Sequence, residues 1–273
     1  MKGNHFSLSI AIMAVMAIML LPRPSDAQVI SHQIKSKQSF TFKTSNEDTA
    51  LFGFTYFFDS TFFSVNSIAR MDDFVILIDP IHNNVKSVSV SEGRLRCSQV
   101  LLKTAIDPNR IPPYLMDVYV MGNYIYVTSS SGFLFTLDRD LLLVNKSQIS
   151  FDRTSDPVFF SFNGRLFIFG DVGDVVENSN HRVSVRANCV KGPKTLIPTM
   201  VEIEGDWAKF DDICTGFKKK DDCLLVENNS YCLDGKFPDA QYQLTRQIWI
   251  SDRSISFYSV VDEKVVLSVY DFN

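Results

Sequence analysis

Residues 118–137 read VYVMGNYIYVTSSSGFLFTL, three short apolar runs parted by Gly122-Asn123 and Ser131-Gly132. Asn and Gly accept the positive φ that a two-residue connection demands. Asn-Gly between apolar runs is the strongest short-range sign of a β-hairpin. Two hairpins in succession make an antiparallel meander from about Met116 to Phe151, with the four short strands and tight turns of a propeller blade. The same plan returns downstream, because Asn163-Gly164 separates Val158–Phe162 from Arg165–Phe169. Val120–Val127 can be laid over Ser161–Ile168 at an offset of 41, Phe74 lies 50 residues before Tyr124, and Ile248 lies 83 after Arg165. These spacings predict about five units of roughly 40–50 residues, the size of propeller blades.

The 23 Phe and the many Val, Ile and Leu residues sit mostly in runs of three to five, as in Phe74–Ile78, Leu166–Phe169 and Ile248–Ile250. β-branched and aromatic residues fit a pleated surface, and no long segment repeats its apolar residues every 3.6 positions, so little helix is expected. The fold class is therefore all-β, with antiparallel meander strands in a propeller-like array favoured over a β-sandwich. A sandwich would use the same strands and turns. No Trp-Asp pair recurs with the period, and 190–240 does not follow it. The expected organisation is a leader over 1–27, a polar arm or ring-closing strand over 28–50, and a single β-rich domain over 51–273 with a Cys-rich segment at 189–232.

The leader reading rests on Lys2, the apolar run Leu8–Leu21 and the small residues Ser25 and Ala27, which suit cleavage before Gln28. Its apolar run is shorter than the ~17–25 residues of a membrane-crossing helix. The expectation is a secreted, extracellular protein with no membrane span after cleavage. With residues 1–27 removed, 246 residues remain, and 25 basic against 30 acidic side chains give a net charge of −5. Phosphate binding draws on clustered Lys and Arg. The single basic run, Lys218–Lys220, is followed at once by Asp221-Asp222 and reads as a solvated turn, so no nucleic-acid partner is expected.

Five cysteines remain: Cys97, Cys189, Cys214, Cys223 and Cys232. In an exported chain they imply disulfides, and the odd number leaves one thiol over. Cys214 with Cys223 is the preferred pair, Cys223 with Cys232 nearly equal to it, and Cys189 joins the remaining one. Cys97 is then a buried thiol or a bridge to a partner chain. The wide gaps do not suit zinc, which takes closely spaced Cys pairs. Asn145-Lys-Ser147 and Asn228-Asn-Ser230 are acceptor sequences for N-linked sugar, which would make the chain a glycoprotein.

The motifs of nucleophilic hydrolases, phosphate-binding loops and zinc peptidases do not occur in the sequence. His82, in Asp79–Asn84, reads as part of a polar turn. Paired carboxylates of a glycan hydrolase could come from Asp72-Asp73, Asp171 with Asp174, Asp206 or Asp252, all near strand ends. Asp171, Asp174 and Glu177 are candidates for calcium, a hard cation that takes carboxylate oxygens. Trp207, Tyr114 and Tyr231 are candidates for exposed aromatic contacts with a ligand. Two functions stand: a secreted, non-catalytic binding module that recognises a protein or carbohydrate through end loops, and a secreted glycan hydrolase using paired Asp/Glu.

Overall fold

The computed structural model describes residues 30–56, 62–103, 113–149, 158–162, 165–171, 174–177, 182–191, 196–203, 205–209, 218–220, 223–226, 229–233, 246–251 and 254–273. The arm supplies β1 (Ile30–His32) and β2 (Ile34–Phe42), followed by the short pair β3 (Thr55–Tyr56) and β4 (Phe62–Phe63). A first meander comprises β5 (Ser67–Met71), β6 (Phe74–Asp79), β7 (Asn84–Ser89) and β8 (Arg94–Val100). A second comprises β9 (Leu115–Met121), β10 (Tyr124–Ser129), β11 (Phe133–Leu137) and β12 (Leu143–Gln148). The third sheet runs β13 (Val158–Phe162), β14 (Arg165–Asp171), β15 (Asp174–Glu177), β16 (Arg182–Lys191), β17 (Leu196–Ile203) and β18 (Asp206–Lys209). β19 (Lys218–Lys220), β20 (Cys223–Val226) and β21 (Asn229–Cys232) form a fourth sheet with β1. β22 (Ile248–Ser251), β23 (Ser254–Val261) and β24 (Lys264–Phe272) form a fifth with β2.

The chain is thus all-β and propeller-like, with five sheets of four or more strands and no helix among the described residues. β6 shows why the blades stack. Its run FVILID is apolar without alternation and buried throughout, because the two faces pack on different neighbours. Phe74, Ile76 and Ile78 join Val118, Ile125, Val127 and Phe135 of the second meander, while Val75 and Leu77 join Tyr258, Val265, Leu267 and Val269 of the fifth sheet. A strand covered on both faces reads as a continuous hydrophobic run. A sheet in a two-layer sandwich would bury only one face.

The arm closes the ring. β2 pairs antiparallel with β24 from Ile34↔Phe272 to Phe42↔Val265, and β1 pairs parallel with β21. His32 fixes the bend between them by bonding the carbonyl of Asn273 at 2.8 Å and Asn229 Oδ1 at 2.9 Å while it stacks on Tyr231. Two segments differ from the sequence reading. Lys218–Lys220 is strand β19, paired with Leu225, Leu224 and Cys223, where a solvated turn was expected. The stretch after 190 departs from the period because β17 and β18 extend the third sheet to six strands.

Turn chemistry matches the hairpin reading at Gly122-Asn123, where Met121 pairs with Tyr124 and Gly122 takes φ 58°. Gly132, at φ 76°, turns β10 into β11. Phe162 pairs with Arg165 as the Asn163-Gly164 reading requires, although those two residues lie outside the described ones. Asp262-Glu263 makes a further two-residue turn between β23 and β24, with φ of 48° and 59°, from residues that give no turn signal in sequence.

Candidate functional site

β5, β9 and β13 lie side by side, and Arg246 precedes β22 next to them. Their leading ends bring Ser67, Asp117, Phe159 and Arg246 together. Arg246 donates from Nε to Asp117 Oδ1 at 3.2 Å and from Nη2 to Asp117 Oδ2 at 3.1 Å, the two-pronged geometry that a guanidinium offers a carboxylate. The same Nη2 donates to the Phe159 carbonyl at 2.6 Å. Asp117 further accepts the Ser67 hydroxyl at 2.5 Å and the amides of Val118 and Phe159 at 2.9 and 2.8 Å. Both charged groups are buried, Arg246 at 6% exposure and Asp117 at 3%. The guanidinium also lies over the rings of Tyr119 and Trp249, which meet edge to face at 5.0 Å. Aromatic rings and a neutralised ion pair therefore fill the space where the leading strands meet.

A second buried cluster sits at the same end, on the turn from β6 to β7. Asp79 Oδ2 accepts from Lys86 Nζ at 2.7 Å, from the Gly53 amide at 2.9 Å, and pairs with His82 Nδ1 at 3.0 Å. Lys86 also donates to the Leu51 carbonyl and lies over the Phe52 ring, and His82 Nε2 faces the Asn46 carbonyl at 3.4 Å. Burial alone would raise the Asp79 pKa, but the His82 hydrogen bond and the Lys86 charge outweigh it and hold the carboxyl below its ordinary value. The bond to Asp79 raises His82, and burial lowers Lys86. Together these groups pin residues 46–53 onto the first meander. Gly53 is required there, since a Cβ would stand 2.5 Å from that of Ile81.

The structure relocates several residues singled out from sequence. Tyr231, expected as an exposed contact, is 2% exposed, because His32 and Phe272 cover its ring. Tyr114 is half-buried at the foot of β9, on the end that carries both clusters, with its amide on Ser130 Oγ. Trp207 lies in β18 opposite Glu202, and its side chain is outside the described residues. Asp171 stands opposite Asp174 in the β14–β15 pair, and Glu177 lies across from Phe167 near the far end of β15. The side chains of all three are outside the described residues, and among those described no group of three metal-binding side chains occurs. Asp72 and Asp73 form the β5–β6 turn. Asp73 accepts the Ser91 amide and the Ser89 and Ser91 hydroxyls, and these bonds hold its pKa down against burial.

Cys223 is bonded to Cys232, not to Cys214. The two are direct partners across the β20–β21 pair, so strand register brings their sulfurs together, and spacing alone cannot distinguish that from a Cys214–Cys223 loop. Cys214 is outside the described residues, as is the side chain of Cys189. Cys97 is a free, half-buried thiol near the Asp140 carbonyl, with its pKa raised by burial. Asn145 is exposed on β12, and Asn228 is outside the described residues. Asp117, Arg246 and Lys86 carry no motif. Their signal in sequence is only a charge beside or within an apolar run, as in Met116-Asp-Val118.

No protein family matches the chain, and no curated protein matches it. Solved structures that are similar include a glutaminyl cyclase of Myxococcus xanthus, 9% identical over 89% of this chain and 97% of that one, with a TM-score of 0.42. BamB of Moraxella catarrhalis is 8% identical over 88% and 100%, with a TM-score of 0.37. A streptogramin B lyase is 9% identical over 87% and 98%, with a TM-score of 0.44. All three are β-propeller-like, and the likeness extends to that β-rich architecture alone.

Proposed function

We propose that the chain is an exported, β-propeller-like binding protein without catalytic chemistry, which recognises an extracellular protein or glycan through the end of the ring that carries the β6–β7 and β10–β11 turns. The observation that carries this reading is the state of the two buried carboxylates among the described residues. Asp117 is held by Arg246 and Asp79 by Lys86 and His82. A glycan hydrolase needs one carboxyl kept protonated near neutrality, with a second across the scissile bond. Asp79 is shifted the opposite way, and Asp117 is locked against a cation that a substrate would have to displace. Both clusters instead rigidify one end of the ring, where rigid turns suit recognition. The leader-like sequence and the Cys223–Cys232 disulfide support export.

Melting of the purified protein with a glycan panel, calcium and chelator tests the reading, with each glycan recovered and weighed. A glycan that raises the melting temperature and is recovered intact supports it. Cleaved glycan overturns it in favour of the hydrolase. A melting temperature that falls with chelator assigns calcium a role, with Asp171 and Asp174 the first residues to replace.

A further inference from the structure

We infer that Asn145 carries an N-linked glycan whose role is to shield the exposed edge of the second meander. The inference rests on the reading that the chain is exported. Three outer edge strands can be compared. β2 exposes Lys35 and Lys37, and β8 exposes Arg94 and Arg96 or lays them over a ring, as Arg96 over Phe74. Long cations on an edge are how sheets prevent pairing with another chain. β12 has less of that protection. Among the described residues it is an edge of its sheet, and Leu142 just before it and Leu143 and Val144 at its start are 62%, 49% and 56% exposed. It carries one cation where β2 and β8 each carry two: Lys146, exposed and lying over the rings of Phe133 and Phe135 as Lys37 lies over Tyr270 and Arg96 over Phe74.

On that strip lies the acceptor sequence Asn145-Lys-Ser147, with Asn145 exposed in the middle of β12 and paired, among the described residues, with Thr136 on its inner side. The register shifts between Thr136 and Leu137, so Asn145 stands opposite Thr136 and Leu143 opposite Leu137; adjacent strand residues point to opposite faces, which puts Asn145 and Leu143 on different faces with the exposed Val144 between them. A bulky, hydrated sugar beside Val144 excludes a second backbone from the edge, which is what Lys and Arg do on β2 and β8.

The full-length chain, leader included, is to be produced in a eukaryotic secretory host, alone and as Asn145→Gln and Ser147→Ala. The Asn145 peptide is weighed before and after enzymatic removal of N-glycans, and the mass in solution is followed by sedimentation over a range of concentrations. We expect sugar on Asn145, a monomer for the parent, and species of at least twice the monomer mass for both variants and for enzymatically deglycosylated protein. Adding Val144→Lys to either variant should restore the monomer, and unchanged circular dichroism excludes misfolding as the cause. A secreted parent with bare Asn145, or variants that stay monomeric, overturns the inference while leaving export intact. Retention of the parent inside the cell with residues 1–27 attached overturns export, and this inference with it.

Discussion

At the scale of single residues, the ring end is held by two charge clusters whose net worth depends on completeness. A buried ion pair gains little over apolar packing, yet breaking one by removing a partner costs about 3–5 kcal/mol, because a bare charge stays behind. Lys86→Met should therefore lower the unfolding free energy in urea by about that much, while adding Asp79→Asn to it should recover part of the loss. His82 adds a pH dependence whose sign follows from its raised pKa. The folded protein binds that proton more tightly than the unfolded chain does. The contribution is therefore fully present below the ordinary value of 6.5 and is lost as pH climbs through the higher folded value. Asp79 works at the acid end: its contribution is present above 3.8 and is lost as pH falls through its depressed folded value. In a series of melting curves, His82→Gln should flatten the decline above pH 6.5 and, because the His82 bond also helps hold the Asp79 carboxyl down, shrink the acid limb to the part that Lys86 and the Gly53 amide support.

At the scale of elements, turns and register do most of the specifying. The β23–β24 hairpin turns on Asp262 and Glu263, both in the left-handed region that costs most side chains about 1–2 kcal/mol. Replacing them as Asp262→Asn with Glu263→Gly gives the pair that such turns favour and should stabilise the protein by about 0.5–1 kcal/mol, visible as a higher melting temperature. Register also decides the disulfide. Cys223 and Cys232 bond because β20 and β21 align them, whereas sequence spacing serves Cys214 with Cys223 equally well. The hairpins at Gly122-Asn123 and Ser131-Gly132 were legible because Gly takes the positive φ at each. Asp262-Glu263 was not, because the pairing of β23 with β24 up to Val261↔Lys264 forces the turn against the preference of two exposed acidic side chains for negative φ.

At the scale of the whole molecule, closure depends on residues 30–42, which lend one strand to the fourth sheet and one to the fifth. A chain starting at Lys43 after its leader would expose the edge of β24 and uncover the apolar face that Phe40 and Phe42 pack against. We expect such a variant to lose all-or-none unfolding, with tryptophan fluorescence and circular dichroism giving separate transitions. A peptide of residues 30–42 added back should bring the two transitions together again.

The sequence by itself determined the class of secondary structure, the meander plan, the number of units and the positions of the Gly-based turns. Each of these follows from neighbours a few residues apart: period-two or continuous apolar runs, and the φ freedom of Gly and Asn. The tertiary structure alone decided which strand closes the ring, which cysteines join, that Tyr231 is buried and that Asp117 meets Arg246. Those partners lie up to 241 residues apart, as in His32 with Asn273, so no local pattern encodes them. They are set by which blades stack on one another and by the cost of leaving any buried charge or polar group without a partner.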